Sequence, residues 1–271
     1  RETGTTNRTH LRDYEACVSE RTGAFMHVHT SNYRIRGFGG TPGIRELCTL
    51  ADKHGVPAID DLGSGALVPL SEFGLPDEPL VRDSIAAGAD VVCFSGDKLI
   101  SGPQSGIICG KKGVISRIRK NPYARMFRVC KMTLAALEST LNHFINRDYK
   151  DKIPFYRMLG ASLEQVQERA ETLVNRAAGE DGIRMTIRND LSYIGSGSLP
   201  DQGIPTKVVV FEPPADRDAT EIARGLRRSI PSVFCRIKDG ALVFDMRTIL
   251  DHETEFLAQA IHNVYEQNNP S

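Results

Sequence analysis

The sequence predicts an α/β protein built on a mainly parallel sheet, followed by a small α+β domain at the C-terminal end. Three observations carry that prediction. Over residues 1–110 short apolar runs alternate with helical patterns, the order that builds a parallel sheet covered on both faces. From Met132 onward apolar residues recur at helical spacing through two successive helices. Beyond them a strand, a helix, a hairpin and a last helix complete a small mixed domain. The predicted division is 1–148 and 149–271.

Taken in order, Ala24 to His29 reads as the first strand and Val56 to Asp60 as the second. Between them Gly43 to Ala51 has helical spacing and stops before Gly55. Asp83 to Gly88 is a short helix, and Ala89 to Phe94 a third strand. The run Ile107 to Cys109 follows too closely for a helical crossover, so it pairs antiparallel. Met132 to Ile145 and Phe155 to Ala178 are helices. In the second, Leu163, Val166, Ala170, Leu173 and Ala177 form one stripe. Gly179 to Pro205 is glycine-rich and reads as loop. Lys207 to Phe211 is a strand and Ala219 to Arg228 a helix. Asp239-Gly240 closes a hairpin, and Glu253 to Glu266 is the last helix.

Composition narrows the class. With 40% hydrophobic and 25% charged residues, the 271-residue chain is neither disordered nor collagenous. Its 34 basic and 34 acidic side chains cancel, so any nucleic-acid contact must come from a local patch. No apolar run approaches the ~20 residues of a membrane span. Six scattered cysteines without a Cys-x-x-Cys pair fit a reduced, cytoplasmic protein. No His/Cys/Asp cluster has metal-ligand spacing, and no glycine-rich nucleotide loop opens a strand–helix unit. The chain starts at Arg1 without a methionine, and a fragment is the expectation.

Chemistry concentrates in three segments. In Ser95-Gly96-Asp97-Lys98, a lysine just past a buried strand sits in a small-residue turn. Desolvation there favours the free amine that forms a Schiff base. Ser95, three residues earlier, is placed to bond a phosphate. Taken singly, Lys98 reads as a snorkelling surface charge. In Asp60-Asp61-Leu62-Gly63-Ser64-Gly65, a carboxylate stands at a strand end, where α/β sheets bind ligands; alone, Asp61 reads as a turn cap. Together a strand-end Asp and a strand-end Lys match a pyridoxal phosphate site, one for the ring nitrogen and one for the aldehyde carbon. In His29-Thr30-Ser31-Asn32, short polar groups follow a strand and suit a cofactor hydroxyl or a substrate carboxylate. His29 alone reads as a hydrogen-bonded structural histidine, with stacking or acid–base work as the alternative.

These motifs, with the opening Arg1-Glu2-x-Gly4-Thr-Thr-Asn-Arg-Thr-His10, the 74–79 stretch, Gly102-Pro103-Gln104 and Asp245-Met246-Arg247-Thr248, resemble bacterial selenocysteine synthase, the L-seryl-tRNA(Sec) selenium transferase family. The likeness covers nearly the whole chain. It implies the large domain, in part, of a fold-type-I pyridoxal phosphate transferase, with a small C-terminal domain. By resemblance Lys98 is the Schiff-base lysine and Asp61 the ring-nitrogen partner, with Asp60 on the wrong side of the strand. Ser95 touches the phosphate, Asn32 the ring hydroxyl, and Arg125 and Arg128 the selenium donor.

The residues support the last assignment separately. Between Lys111 and Lys131 lie eight Lys/Arg and no acid, and Arg125 and Arg128 are three apart, on one face if helical. Two guanidinium forks suit a doubly charged tetrahedral anion. A solvated basic face, or contact with tRNA phosphates, is the competing explanation.

The family's reaction converts seryl-tRNA(Sec) to selenocysteinyl-tRNA(Sec) with selenophosphate, through an aminoacrylyl-tRNA. The resemblance further implies a homo-oligomer, a ring of dimers, and a longer N-terminal portion than this chain has. Two other readings are a pyridoxal phosphate lyase or transferase of the same superfamily acting on a small amino acid or phosphorylated amino sugar without tRNA, and a non-enzymatic scaffold. Retention of both Lys98 and Asp61 speaks against the scaffold.

Overall fold

The computed structural model describes residues 1–4, 8–31, 39–76, 78–177, 183–195, 198–199 and 201–267. The chain divides into two compact units, Arg1–Ile153 with Ile194–Gln202, and Pro154–Tyr193 with Gly203–Ser271.

The first unit opens with α1 (Leu11–Ala16) and is built on a four-stranded sheet of order β1 (Phe25–Val28), β2 (Ala58–Gly63), β3 (Val91–Ser95) and β4 (Gly106–Gly110). The first three strands run parallel, and β4 returns antiparallel with Phe94 opposite Ile107. Two helices serve as crossovers, α2 (Ile44–His54) and α3 (Val81–Ala87). At the start of α2 the Gly43 N–H donates to the Glu46 carboxylate at 2.9 Å. The helix ends at Gly55, whose φ of 65° is the left-handed conformation that a helix C-terminus uses. Its buried face, Leu47, Cys48, Leu50 and Ala51, packs with Phe25, Ala58, Leu62, Val92 and Phe94 from the sheet. Each large aliphatic or aromatic side chain buried this way contributes about 1.5–3 kcal/mol.

The α/β class with a mainly parallel sheet is therefore as expected. The coverage is not. Alternation along the strands sends Met26, Val28, Ile59, Asp61, Cys93, Ser95 and Ile108 to the opposite face, where Met26, Val28 and Ile108 are 49%, 58% and 49% exposed. Four helices follow, α4 (Lys112–Lys120), α5 (Pro122–Met126), α6 (Lys131–Ile145) and α7 (Tyr149–Lys152). None of the residues of α6 is fully buried, although Leu141 and Phe144 lean on the core.

The second unit contains α8 (Pro154–Gly160), α9 (Leu163–Ala177), β5 (Arg184–Tyr193), β6 (Gly203–Glu212), α10 (Ala219–Arg228), β7 (Arg236–Lys238), β8 (Ala241–Asp245) and α11 (Thr254–Gln267). Its sheet is antiparallel throughout, in the order β5-β6-β8-β7. Two expectations are corrected here. The helix expected over Phe155–Ala178 is two helices, because Ser162 and Gln165 form a reciprocal cap that starts α9 afresh: each side chain accepts the other's backbone N–H, at 3.2 and 3.0 Å. The stretch expected as loop contains the ten-residue strand β5, with Met185 and Ile187 packed on the core. The Asp239-Gly240 turn is as expected, with φ of 51° and 77°, the pair of positive values a tight hairpin needs. Among the described residues no helix is long and apolar enough to cross a membrane.

Candidate active site

The three parallel strands end side by side, and the candidate residues lie at or just past those ends. Asp61 is the fourth residue of β2, opposite Cys93 of β3. Its Oδ1 accepts the Gly63 N–H at 3.2 Å, closing a short turn at the strand end. Burial raises the Cys93 thiol pKa, and the nearby Asp61 charge adds to the effect. Asp60 points the other way. It is 1% exposed and bonded to His27 Nδ1 at 2.8 Å, so it serves the core face of the sheet.

Lys98 comes three residues after the end of β3, in the turn to β4. Its Nζ and the Ser31 hydroxyl both lie over Gly63: a Cβ built there would stand 3.8 Å from Lys98 Nζ and 2.9 Å from Ser31 Oγ. Gly63 also has a φ of 65°. Space and backbone conformation thus both require glycine between the Asp61 carboxylate and the Lys98 amine.

Ser95, the last residue of β3, shares the sheet's open face with Asp61 and Cys93. These residues line one side of an open cavity of about 1640 Å³, and Arg117, Arg128 and Lys131 line another part of it. Asn32 lies outside the described residues.

The arginine pair departs from expectation. Arg125 and Arg128 do not share a helix, because α5 begins with the Asn121 cap and Pro122 and already ends at Met126, with Phe127 as its C-terminal cap. Arg128 falls in the extended link before α6 and lines the cavity, whereas Arg125, on α5, does not. Ser31, in the polar segment after the first strand, is buried as well, and sequence reasoning passed over Ser64 and Glu78, whose side chains are likewise buried at the strand ends. Glu78 lies in the 74–79 stretch that the family likeness had already marked, and that was its only sequence signal.

Comparisons with known proteins bear on the family and the fold. Residues 1–250 match the family described as SelA: L-seryl-tRNA selenium transferase. The chain is 42% identical over 266 residues to the L-seryl-tRNA(Sec) selenium transferase of Alkaliphilus metalliredigens, covering 97% of this chain and 57% of that protein. It is 44% identical over 261 residues to the corresponding protein of Salmonella paratyphi A, with 94% and 56% covered. The chain thus spans a little over half the length of these curated relatives. Among solved structures, D-glucosaminate-6-phosphate ammonia-lyase superposes with a TM-score of 0.59 at 20% identity, over 98% of this chain and 64% of that one. At that identity the likeness speaks to the fold alone.

Proposed function

Because this chain belongs to the SelA family, L-seryl-tRNA selenium transferase, we propose that it carries the pyridoxal phosphate centre of a fold-type-I enzyme that turns seryl-tRNA(Sec) into selenocysteinyl-tRNA(Sec), with selenophosphate as donor. The observation that supports this most is the meeting of Asp61 and Lys98 at Gly63, whose missing side chain leaves room beside the Lys98 amine.

The residues present fit the cofactor. A strand-end carboxylate, a strand-end amine and a hydroxyl three residues before that amine are the groups its ring nitrogen, aldehyde carbon and phosphate require. When bound, pyridoxal phosphate supplies an electron sink for a carbanion at the substrate Cα.

The chain's own groups divide the remaining work. Asp61 holds a proton on the ring nitrogen, since a carboxylate favours the charged partner beside it. Lys98 would hold the aldehyde carbon, and its Nζ is the base that would take the Cα proton. Ser95 donates to the phosphate, and Asn32 serves the ring hydroxyl. Arg128 and Arg125 would hold the doubly charged donor: the serine hydroxyl leaves with a proton as water, selenium then bonds to Cβ, and water cleaves the P–Se bond so that phosphate departs. The basic stretch from Lys111 to Lys131 offers further contacts to tRNA phosphates. A homo-oligomer, the ring of dimers, and a cytoplasmic location belong to the same proposal.

The test is an absorbance scan of the chain with added pyridoxal phosphate, beside Lys98→Ala. A cofactor band present in the parent and lost in the variant is expected, and seryl-tRNA(Sec) rather than free serine should perturb it. If neither this chain nor one extended to the length of its relatives gives a band, the proposal fails.

A further inference from the structure

At the strand ends lies a buried carboxylate that the reaction above leaves unused. Glu78, in the link before α3, is 6% exposed. Its Oε2 meets two groups, His29 Nε2 and the Ser64 hydroxyl, each at 3.1 Å. An ionised carboxylate only accepts, so the imidazole keeps a proton on Nε2 and the hydroxyl turns its own toward Glu78. Two donors are what a carboxylate buried this far needs.

His29 follows β1, Ser64 follows β2 and Lys98 follows β3, so one side chain gathers the ends of neighbouring strands. The bonds run on toward the amine from both sides. The His29 carbonyl accepts the Ser31 N–H at 3.0 Å, and Ser31 Oγ shares the space over Gly63 with Lys98 Nζ. The Ser64 carbonyl accepts the N–H of Leu99, the residue after Lys98, at 3.3 Å.

We propose that Glu78 is a positioning residue of this site, fixing the His29 imidazole and, through His29 and Ser64, holding Ser31 and the Lys98 turn in register. The inference rests on the reading of Lys98 as the cofactor-holding amine. It adds a residue that acts through others.

The test uses the whole chain with isotope-labelled histidine, and its first arm needs no cofactor. NMR of His29 (assigned by its loss in His29→Gln), recorded on the alkaline side of its own titration, should show one tautomer, protonated on Nε2. In Glu78→Gln both tautomers should appear, because an amide offers the ring a donor as well as an acceptor. A parent His29 that samples both forms, or a spectrum unchanged in Glu78→Gln, overturns the proposal.

The second arm follows the rate at which Lys98 captures pyridoxal phosphate. Glu78→Gln and Ser64→Ala should each slow it by about tenfold, within the range that small misplacements cost. The double variant should be no slower than the worse single one, since both break one chain of bonds. Additive losses, or capture by Glu78→Gln at the parent rate, overturn the proposal; Ser64→Ala carries this arm if Glu78→Gln does not fold. If neither this chain nor one extended to the length of its relatives captures the cofactor, the cofactor reading of Lys98 falls and the tautomer arm alone decides the role of Glu78.

Discussion

Cys130 is the exposed residue at the N-terminal cap position of α6, and its thiol differs from those of the buried Cys48 and the half-buried Cys93, Cys109 and Cys235. The Thr133 hydroxyl, 3.4 Å away, and the backbone amides of the first turn hold the Cys130 pKa below the ordinary thiol range. Burial pushes Cys48, Cys93, Cys109 and Cys235 the other way. The thiolate is the nucleophile, so a lowered pKa keeps Cys130 reactive to lower pH than the rest. At about pH 7 iodoacetamide should label Cys130 first, and Thr133→Val should slow that labelling while leaving the buried thiols unchanged; peptide mass spectrometry reads both. Equal labelling of Cys130 and Cys93 would refute this. At this scale the sequence shows a residue's place where that place follows from one strand. Asp61 and Lys98 stand out as candidates because each lies at or after a recognisable apolar run. Glu78 does not, because its partners His29 and Ser64 come from two other loops.

At the scale of elements, Arg247 explains why α8 stops where it does. The guanidinium is 5% exposed, and burial lowers its pKa from the usual arginine value. Nη1 donates to the carbonyls of Met158 and Ala161 at 3.1 and 2.7 Å, and Nη2 to that of Pro205 at 2.7 Å. The last carbonyls of a helix lack partners within the helix. Here a side chain 86 residues away from Ala161 supplies them and ties the helix end to β6. Arg247→Met should therefore cost about 1–3 kcal/mol, the range for leaving buried polar groups unpaired. Arg247→Lys should recover little of it, since an ammonium cannot reproduce the planar fork. Denaturant midpoints of the two variants check this; a full recovery by lysine would sink the fork argument. The same distance explains the overlong helix read from periodicity alone, since the apolar stripe of α9 carries no trace of a partner at 247. The missed strand β5 has a different cause. Met185, Ile187 and Leu191 do lie on alternate positions, but the glycines on either side of them outweighed that short alternation.

For the molecule as a whole, the two sheets differ in how their centres are covered, and that difference should be measurable. In the second unit Val209 and Phe211 of β6 join Leu242 and Phe244 of β8 in the main core, while Val208 and Val210 pack with Ala241 and Val243 on the other face. Both faces are buried at the centre of that sheet. In the first unit β2 and β3 pack Ala58, Leu62, Val92 and Phe94 into the core on one face; on the other Val91 is buried, but Ile59, Asp61, Cys93 and Ser95 look into the open cavity. The spacing of strands by helices along the chain implied a mainly parallel sheet. It could not tell what covers each face, because an apolar residue reads the same whether or not something packs on it. Local opening is easiest where few apolar contacts hold the backbone. Hydrogen exchange should therefore be slowest in β6 and β8, with amides of β2 and β3 exchanging at least about tenfold faster, a gap of roughly 1.4 kcal/mol in opening energy. Added pyridoxal phosphate should narrow the gap by slowing β2 and β3 alone, since a ligand bound to the folded form stabilises the elements that hold it. Equal protection of the two sheets without ligand would show that the open face costs the first unit nothing. A cofactor effect on β6 and β8 but not on β2 and β3 would place the binding site in the wrong unit for Lys98 and Asp61 to form it.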